Sequence, residues 1–389
     1  MPAPPHLTSD ELEARLLLHH LPEIGPRRFR QLLGAFGSAA EALQASAAAW
    51  QSLGLPSSTH TARHCPRVLR RVHSARAWLD AVDHSLIAHD APTYPALLAE
   101  LHDAPPLLFV AGNAAILERP QLALVGSRRA SRAGVGEAAS FARHLAAGGF
   151  VITSGLALGI DAAAHQGALD AGGLTIAVLG TGLKEIYPPR HRDLAQRIRD
   201  NGGALLSELP LDTAAQACNF PRRNRLISGL SLGVLVVEAG LSSGSLITAR
   251  LAAEQGREVF AIPGPIHHPG SRGCHQLIRE GAQLVESVAD IFDNLRGWQN
   301  CAPAPTRRKV RSAPVEPVKR SPQQGRLLLP TPSAEGAALL TLLKQGPLDS
   351  ETLAQCSGQP IAALLALLTE LELDGHLSAE NGVWHYCGP

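Results

Sequence analysis

Aromatic side chains are scarce in this chain of 389 residues, at 4%, and methionine occurs once. An aromatic ring beside clustered charge therefore stands out. Cysteine occurs six times (65, 218, 274, 301, 356, 387), singly and with no CxxC pair. That spacing excludes a disulfide framework and a structural zinc site, so the expected location is a reducing cytoplasm. No run of about 18 apolar residues occurs, so no membrane span is expected. The opening Met-Pro-Ala-Pro-Pro-His has neither the basic start nor the apolar stretch of a signal peptide. Neither charge sign dominates: 35 basic residues stand against 34 acidic ones, a net charge of +1. Partners can be inferred only after that balance is split by region.

Signatures of catalysis are missing too. There is no GxxxxGK(S/T) loop, so no lysine is placed to reach a nucleotide's terminal phosphates. No GxSxG elbow and no HExxH pair are present. Gly134-Val-Gly136-Glu-Ala-Ala139 has the GxGxxA form but begins eight residues after the preceding apolar run, too far for the tight turn of a dinucleotide site. No acidic residue follows at the distance needed to hold a ribose. Asp161 and His165 stand four apart on an expected helix, where capping by the aspartate is the simpler reading than a catalytic or metal pair. Glu208 and Glu238 each follow an expected strand with no nucleophile beside them. No catalytic residue, metal or cofactor is expected, and the chemistry looks like grip rather than reaction.

What the chain does have is Asn219-Phe-Pro-Arg-Arg-Asn-Arg225, with three arginines in four positions beside a ring and two amides. Guanidinium groups grip phosphate through a planar fork, and a ring offers a face for a base. Pro221 discourages a helix through the segment, which reads as a basic turn. A second candidate is Gly126-Ser127-Arg128-Arg129, where backbone amides and two arginines at a strand end suit an isolated phosphate. Ser154-Gly155 and Ser243-Gly244-Ser245, with Thr248 beyond, add small donors to the same rim.

Four regions separate. Residues 1–65 read as a helical domain. Thr8-Ser-Asp-Glu11 has capping-box spacing before an apolar run, and Leu21-Pro-Glu-Ile-Gly25-Pro-Arg-Arg28 turns into a helix over Phe29–Phe36. Such a hairpin resembles the helix-hairpin-helix motif, whose turn amides meet DNA phosphates. Residues 86–297 alternate expected strands (Leu122–Val125, Phe150–Thr153, Thr175–Leu179, Ala204–Leu206, Val234–Val237, Glu258–Ile262) with helical segments (Gly136–Ala147, Asp161–Ala171, Asp193–Asn201, Ser245–Gln255). That alternation predicts an α/β fold with a doubly wound, mostly parallel sheet. Residues 298–332 form a proline-rich linker whose segment from Arg307 to Arg326 carries net +6. Residues 333–389 carry net −6, and helices at Leu339–Leu343, Leu348–Gln355 and Ile361–Leu373 followed by a hairpin describe a winged helix.

These motifs resemble the DNA-processing protein A family, DprA or Smf. The resemblance runs from Tyr94-Pro95 to Gly281-Ala282 through Val125-Gly-Ser-Arg128, Ser154-Gly-Leu-Ala-Leu-Gly-Ile-Asp161, Tyr187-Pro188, Phe220-Pro-Arg-Arg-Asn-Arg-Leu-Ile-Ser228, Ser243-Gly-Ser-Leu-Ile-Thr-Ala249 and Ile262-Pro-Gly264. It implies an extended Rossmann-like core with SAM-like helical and winged-helix appendages, binding of single-stranded DNA, and no established catalytic activity. It also implies protection of incoming DNA, loading of the RecA recombinase during natural transformation, and a homodimer. By carry-over Arg128 holds phosphate, Phe220 stacks or wedges a base, and Arg222, Arg223 and Arg225, with Asn224 among them, line or support the pocket. Some members have a lysine before the Phe-Pro pair; here Ala217, Cys218 and Asn219 are uncharged, and Arg190 and His191 are candidates to replace the charge. The alternative reading is a Rossmann-like phosphoribohydrolase, whose PGGxGT loop is absent from Ile262-Pro-Gly-Pro-Ile266.

Overall fold

The computed structural model describes residues 8–295, 334–344, 348–357, 360–361, 364, 367–368, 371, 376–380 and 383–386. The expected linker over 298–332 lies outside them. The chain divides into two compact units, Met1–Pro305 and Thr306–Pro389.

The first unit begins with a helical layer: α1 (Ser9–His20), α2 (Pro26–Phe36), α3 (Ala39–Gln44), α4 (Ala47–Ser52), α5 (Ser57–Thr61) and α6 (Pro66–Leu79). Thr8 caps α1 by accepting from the Glu11 amide at 3.3 Å. The second half of the expected capping box is absent. Glu11 instead accepts from the Ala39 and Ala40 amides at 3.0 Å and from Arg15 at 2.6 Å, so it joins α1 to α3. Helix α2 starts at Pro26, a turn earlier than the sequence suggested, because proline suits the first helical position where no amide partner is required. The layer extends through α6, whose Val68, Val72 and Ala75 share one apolar cluster with Leu16, Phe29 and Trp50. That cluster continues onto Phe109, Ala177 and Leu205 of the sheet described next, so the helices cover one of its faces. Arg15 adds a bidentate contact to Asp90, at 2.5 and 2.7 Å.

Nine strands form one sheet: β1 (His84–Ala88), β2 (Leu107–Gly112), β3 (Gln121–Val125), β4 (Val151–Ser154), β5 (Thr175–Val178), β6 (Ala204–Ser207), β7 (Gly233–Val236), β8 (Glu258–Ala261) and β9 (Gln283–Leu284). Their order is β1-β2-β6-β5-β4-β3-β7-β8-β9. Strands β3 to β9 pair in parallel, while β1 and β2 run antiparallel to their neighbours. Every residue of β3 to β7 is buried, as a parallel sheet covered on both faces requires. The covering helices are α7 (Ala96–Ala99), α8 (Arg132–Ala147), α9 (Ile160–Asp170), α10 (Arg192–Asp200), α11 (Asn219–Gly229), α12 (Ser245–Glu254), α13 (Arg272–Arg279) and α14 (Val288–Asn294). From β3 the chain winds outward through β4, β5 and β6, then returns to place β7 on the other side of β3. That reversal opens a crevice beyond the carboxyl ends of β3 and β7, where ligands of such sheets bind.

The second unit holds α15 (Ala334–Leu343), α16 (Ser350–Ser357) and helical residues at Ile361, Leu364, Leu367, Leu368 and Leu371. Strands β10 (Leu348–Asp349), β11 (Leu377–Glu380) and β12 (Val383–Tyr386) form an antiparallel sheet in the order β10-β12-β11, completing a winged helix. The helix expected from Leu348 begins at Ser350 instead. Asp349 accepts from the Thr352 amide at 2.8 Å, so it caps the helix, and the two residues before the first turn pair with β12. Glu370 and Glu372 of the expected third helix, and Asp374 after it, lie outside the described residues. Among the described residues no helix is long and apolar enough to cross a membrane.

Candidate nucleic-acid interface

A cavity of about 800 Å³ occupies the crevice between the β3 and β7 ends. Its walls come from the loops after those strands and from the starts of α11 and α12. Gly126 permits the first turn: a Cβ there would lie 2.5 Å from Ile160 and 2.9 Å from the Glu238 carbonyl oxygen. The Ser127 amide donates to that same carbonyl at 2.7 Å, which ties the β3 loop to the β7 loop. Arg128 and Arg129 follow and project into solvent as exposed residues. Among the described residues neither forms an ion pair within the chain.

The heptad from Asn219 to Arg225 is helical, contrary to the turn expected from Pro221. The proline occupies the first turn of α11, where the amide it lacks has no intrahelical partner in any helix. Helical periodicity then separates the three arginines. Phe220, Asn224 and Ile227 line the cavity. Arg222 is exposed and lies 3.8 Å from Glu208. Arg225 is buried and points away from the cavity, paired with Glu208 at 2.6 Å and Asp103 at 3.1 Å. Burial raises the Glu208 carboxyl above the usual range, and the facing Arg225 charge opposes that rise.

Arg223 forms the floor. It is buried, donates to the Gly155 carbonyl at 2.8 Å and also contacts the Val178 carbonyl. A Cβ on Gly155 would lie 2.6 Å from both terminal nitrogens of that guanidinium. Burial lowers its pKa to about 10, while the nearby Asp161 carboxylate works the other way. Asp161 accepts from the amides of Gly155 at 3.1 Å and Ala157 at 3.3 Å, and so holds the β4 loop. The aspartate belongs to the first turn of α9, and Gly159 occupies the capping position assigned to it from sequence. His165 turns instead to Thr175: its Nδ1 lies 2.6 Å from the Thr175 hydroxyl, which donates to the Ile152 carbonyl. Ser154 donates its hydroxyl to the Leu124 carbonyl at 2.6 Å and is fully buried, so it braces the sheet rather than lining the cavity.

The remaining wall is small and polar. Ser243 and Ser245 hydroxyls lie 2.7 Å apart, with Gly244 between them and Thr248 a turn further on, all along the cavity. Two rings close the mouth. Tyr187 lies 5.4 Å from Phe220 between ring centroids, and the Arg128 guanidinium stands 5.6 Å from the Phe220 centroid. Tyr187 and Ile247 line the cavity although the sequence reading assigned them no role there. The scarcity of aromatics was the available signal for the tyrosine. Arg190 and His191 do not line it; His191 bonds the Leu156 carbonyl at 2.8 Å. In the N-terminal hairpin Arg28 bonds Glu23 of its own turn. Glu238 accepts from the Ser131 hydroxyl at 2.6 Å and anchors the start of α8. Each carboxylate that the sequence offered for catalysis is thus committed to holding a loop or an arginine.

Comparison with known proteins agrees with this architecture. The family model for DNA recombination-mediator protein A matches residues 85–296, a DprA-like N-terminal HHH domain matches 9–52 and the DprA winged helix domain matches 322–382. The chain belongs to the DprA/Smf family. It is 46% identical to protein Smf of Escherichia coli over 313 residues, 80% of each chain. It is 49% identical to DNA processing protein DprA of Streptococcus pneumoniae over 51% of this chain and 70% of that one. The crystal structure of the pneumococcal DprA superposes with a TM-score of 0.61 at 36% identity, covering 73% of this chain and 97% of that one. DNA processing protein A of Helicobacter pylori, studied for its single-stranded DNA binding mode, superposes with a TM-score of 0.50 at 31% identity, covering 55% and 96%.

Proposed function

We propose that the crevice binds single-stranded DNA and that this family member acts as a recombination mediator. It would shield incoming DNA and load the RecA recombinase on it during natural transformation, working in the cytoplasm as a homodimer. The observation that carries the DNA-binding reading is the pairing at the cavity mouth of two arginines, free of ion pairs among the described residues, with an exposed ring, Tyr187, and a half-buried one, Phe220. Arg128 and Arg129 supply forked donors to phosphate, and Phe220 with Tyr187 supplies faces for bases. A groove built this way takes any sequence, because every base has a π-face and every nucleotide a phosphate. Family membership supports the recombination and dimer readings.

The decisive measurement is fluorescence anisotropy with labelled poly-thymidine at two salt concentrations. Binding that weakens with salt, by about 0.7 in log–log slope for each phosphate held, is the expected result. Salt-independent binding, or none, would overturn the reading. No catalytic step is assigned, since Asp161, Glu208 and Glu238 are all engaged in structural contacts.

A further inference from the structure

A second basic cavity, of about 370 Å³, lies between α6 and the loop that follows β6. Helix α6 places Arg67, Arg70 and Arg71 three and four residues apart on one face, with Ser74 a turn beyond. Its opposite face, Val68, Val72 and Ala75, is buried in the helical layer, so the arginines are held out by a packed element. Arg71 pairs with Asp212 at 3.1 Å across the groove. Arg67 and Arg70 are exposed and, among the described residues, have no acidic partner within the chain. Lys184 adds a further charge beside the groove, its Nζ bonded to Ser74 at 2.8 Å.

One loop borders both cavities. Leu211 and Asp212 line the second, and Ala215 and Ala217 of the same loop line the first. The three residues from Asp212 to Ala215 span at most about 11 Å of chain. Both openings are rich in arginine, but only the first has phenylalanine and tyrosine rings; the second has the buried imidazole of His20.

We infer that the α6 groove is a second subsite for the backbone phosphates of the strand held in the crevice, and so lengthens the DNA site across the 209–218 loop. This inference rests on the reading of the crevice as a single-strand site. A cation-lined groove with no exposed ring to stack on suits phosphates that pass by, whereas the crevice suits bases that stop. Occupancy of the two by one strand would make affinity grow with oligonucleotide length beyond what the crevice alone can hold.

The test uses the full chain and a ladder of oligothymidines from about six to about thirty nucleotides, spanning the usual range of single-strand site sizes. R67A/R70A should lower affinity for the long strands roughly three- to twenty-fold at low salt. It should also reduce their salt slope by about 1.4 while leaving the shortest strands unaffected. Thermal melting should be unchanged, because both side chains are solvated. Unchanged affinity for long strands would overturn the inference, and so would an equal loss at every length. Preferential loss of duplex binding would overturn the assignment to a single strand. R128A run in parallel separates the two readings: wild-type affinity at every length in that variant would sink the crevice itself, and the subsite with it.

Discussion

The floor and the rim of the crevice are built from the same residue type used in opposite ways. Arg223 lies in the floor and Arg225 behind it, both buried and bonded to carbonyls or carboxylates, and they hold helix α11 in place. Arg128 and Arg129 stand on the rim, exposed and free of ion pairs among the described residues. A buried guanidinium cannot rotate toward a ligand without abandoning its carboxylate, so its energetic weight falls on stability. An exposed one costs little to hold in place, and its weight falls on binding. Arginine content alone therefore says nothing about the strength of a phosphate site; the partner already in place decides.

Substitutions should divide along that line. Arg225→Ala has the largest expected effect, because it leaves the buried Glu208 with only the distant Arg222. Stability should fall by about 3–5 kcal/mol, as when one partner of a buried pair is removed. The fraction still folded should bind DNA as the parent does, so melting and anisotropy must be read together. Loss of affinity without loss of stability would give Arg225 a part in binding instead. Arg128→Ala should do the reverse: melting within about 0.5 kcal/mol of the parent, and binding weaker by roughly 1.5–3 kcal/mol, about ten- to a hundred-fold. Arg128→Lys should recover part of that, since an ammonium lacks the fork.

Phe220 stands between the two classes, half-buried under Tyr187 and Arg128. Phe220→Ala should weaken binding by about 1–3 kcal/mol with the salt slope preserved, because stacking and not a phosphate is lost. Early melting by about 3–5 kcal/mol would place the ring in the core instead. His165 sharpens the contrast through pH. Burial lowers its pKa from 6.5 to about 3, so the unfolded chain takes a proton over that interval while the native chain does not. The stability it permits is complete above pH 6.5 and declines as pH falls towards 3, by about 1.4 kcal/mol per unit. His165→Gln should flatten the unfolding free energy against pH by that amount between pH 6 and 4. An unchanged slope would show that the histidine is protonated in the native state. The smallest effect is expected from deleting residues 330–389, an acidic segment of net −6 with one lysine. Single-strand affinity should be retained or rise slightly, and a large loss would give the winged helix a direct part in binding.

The central sheet was readable because β3 to β8 are short apolar runs set between helical segments, which is what burial on both faces demands. Strands β1 and β2 were not assigned, since β1 is half-buried and the pair runs antiparallel, outside the strand–helix alternation being followed. The two-residue β9 offers too little sequence to detect. At the site, the turn at Gly126 and the segment from Ser243 to Thr248, both expected at strand ends, lie around the crevice. The arginines were not sorted, because reading the heptad as a turn removes the periodicity that sends neighbouring side chains in different directions. The α6 groove went unread for a related reason: its three arginines gain meaning only beside Asp212 and Lys184, which folding brings to them.

Gly155 and Arg223 have a consequence beyond the architecture. The guanidinium fills the volume that any side chain at 155 would need, so the two positions form a single mechanical part separated by 68 residues of chain. Neither can drift alone. A larger residue at 155 expels the arginine and strands Asp161, while a smaller one at 223 leaves a void lined by carbonyls. Inheritance must therefore treat two distant codons as one, and a recombination event that splits them between unlike parents would yield a chain with an intact rim and no floor beneath it.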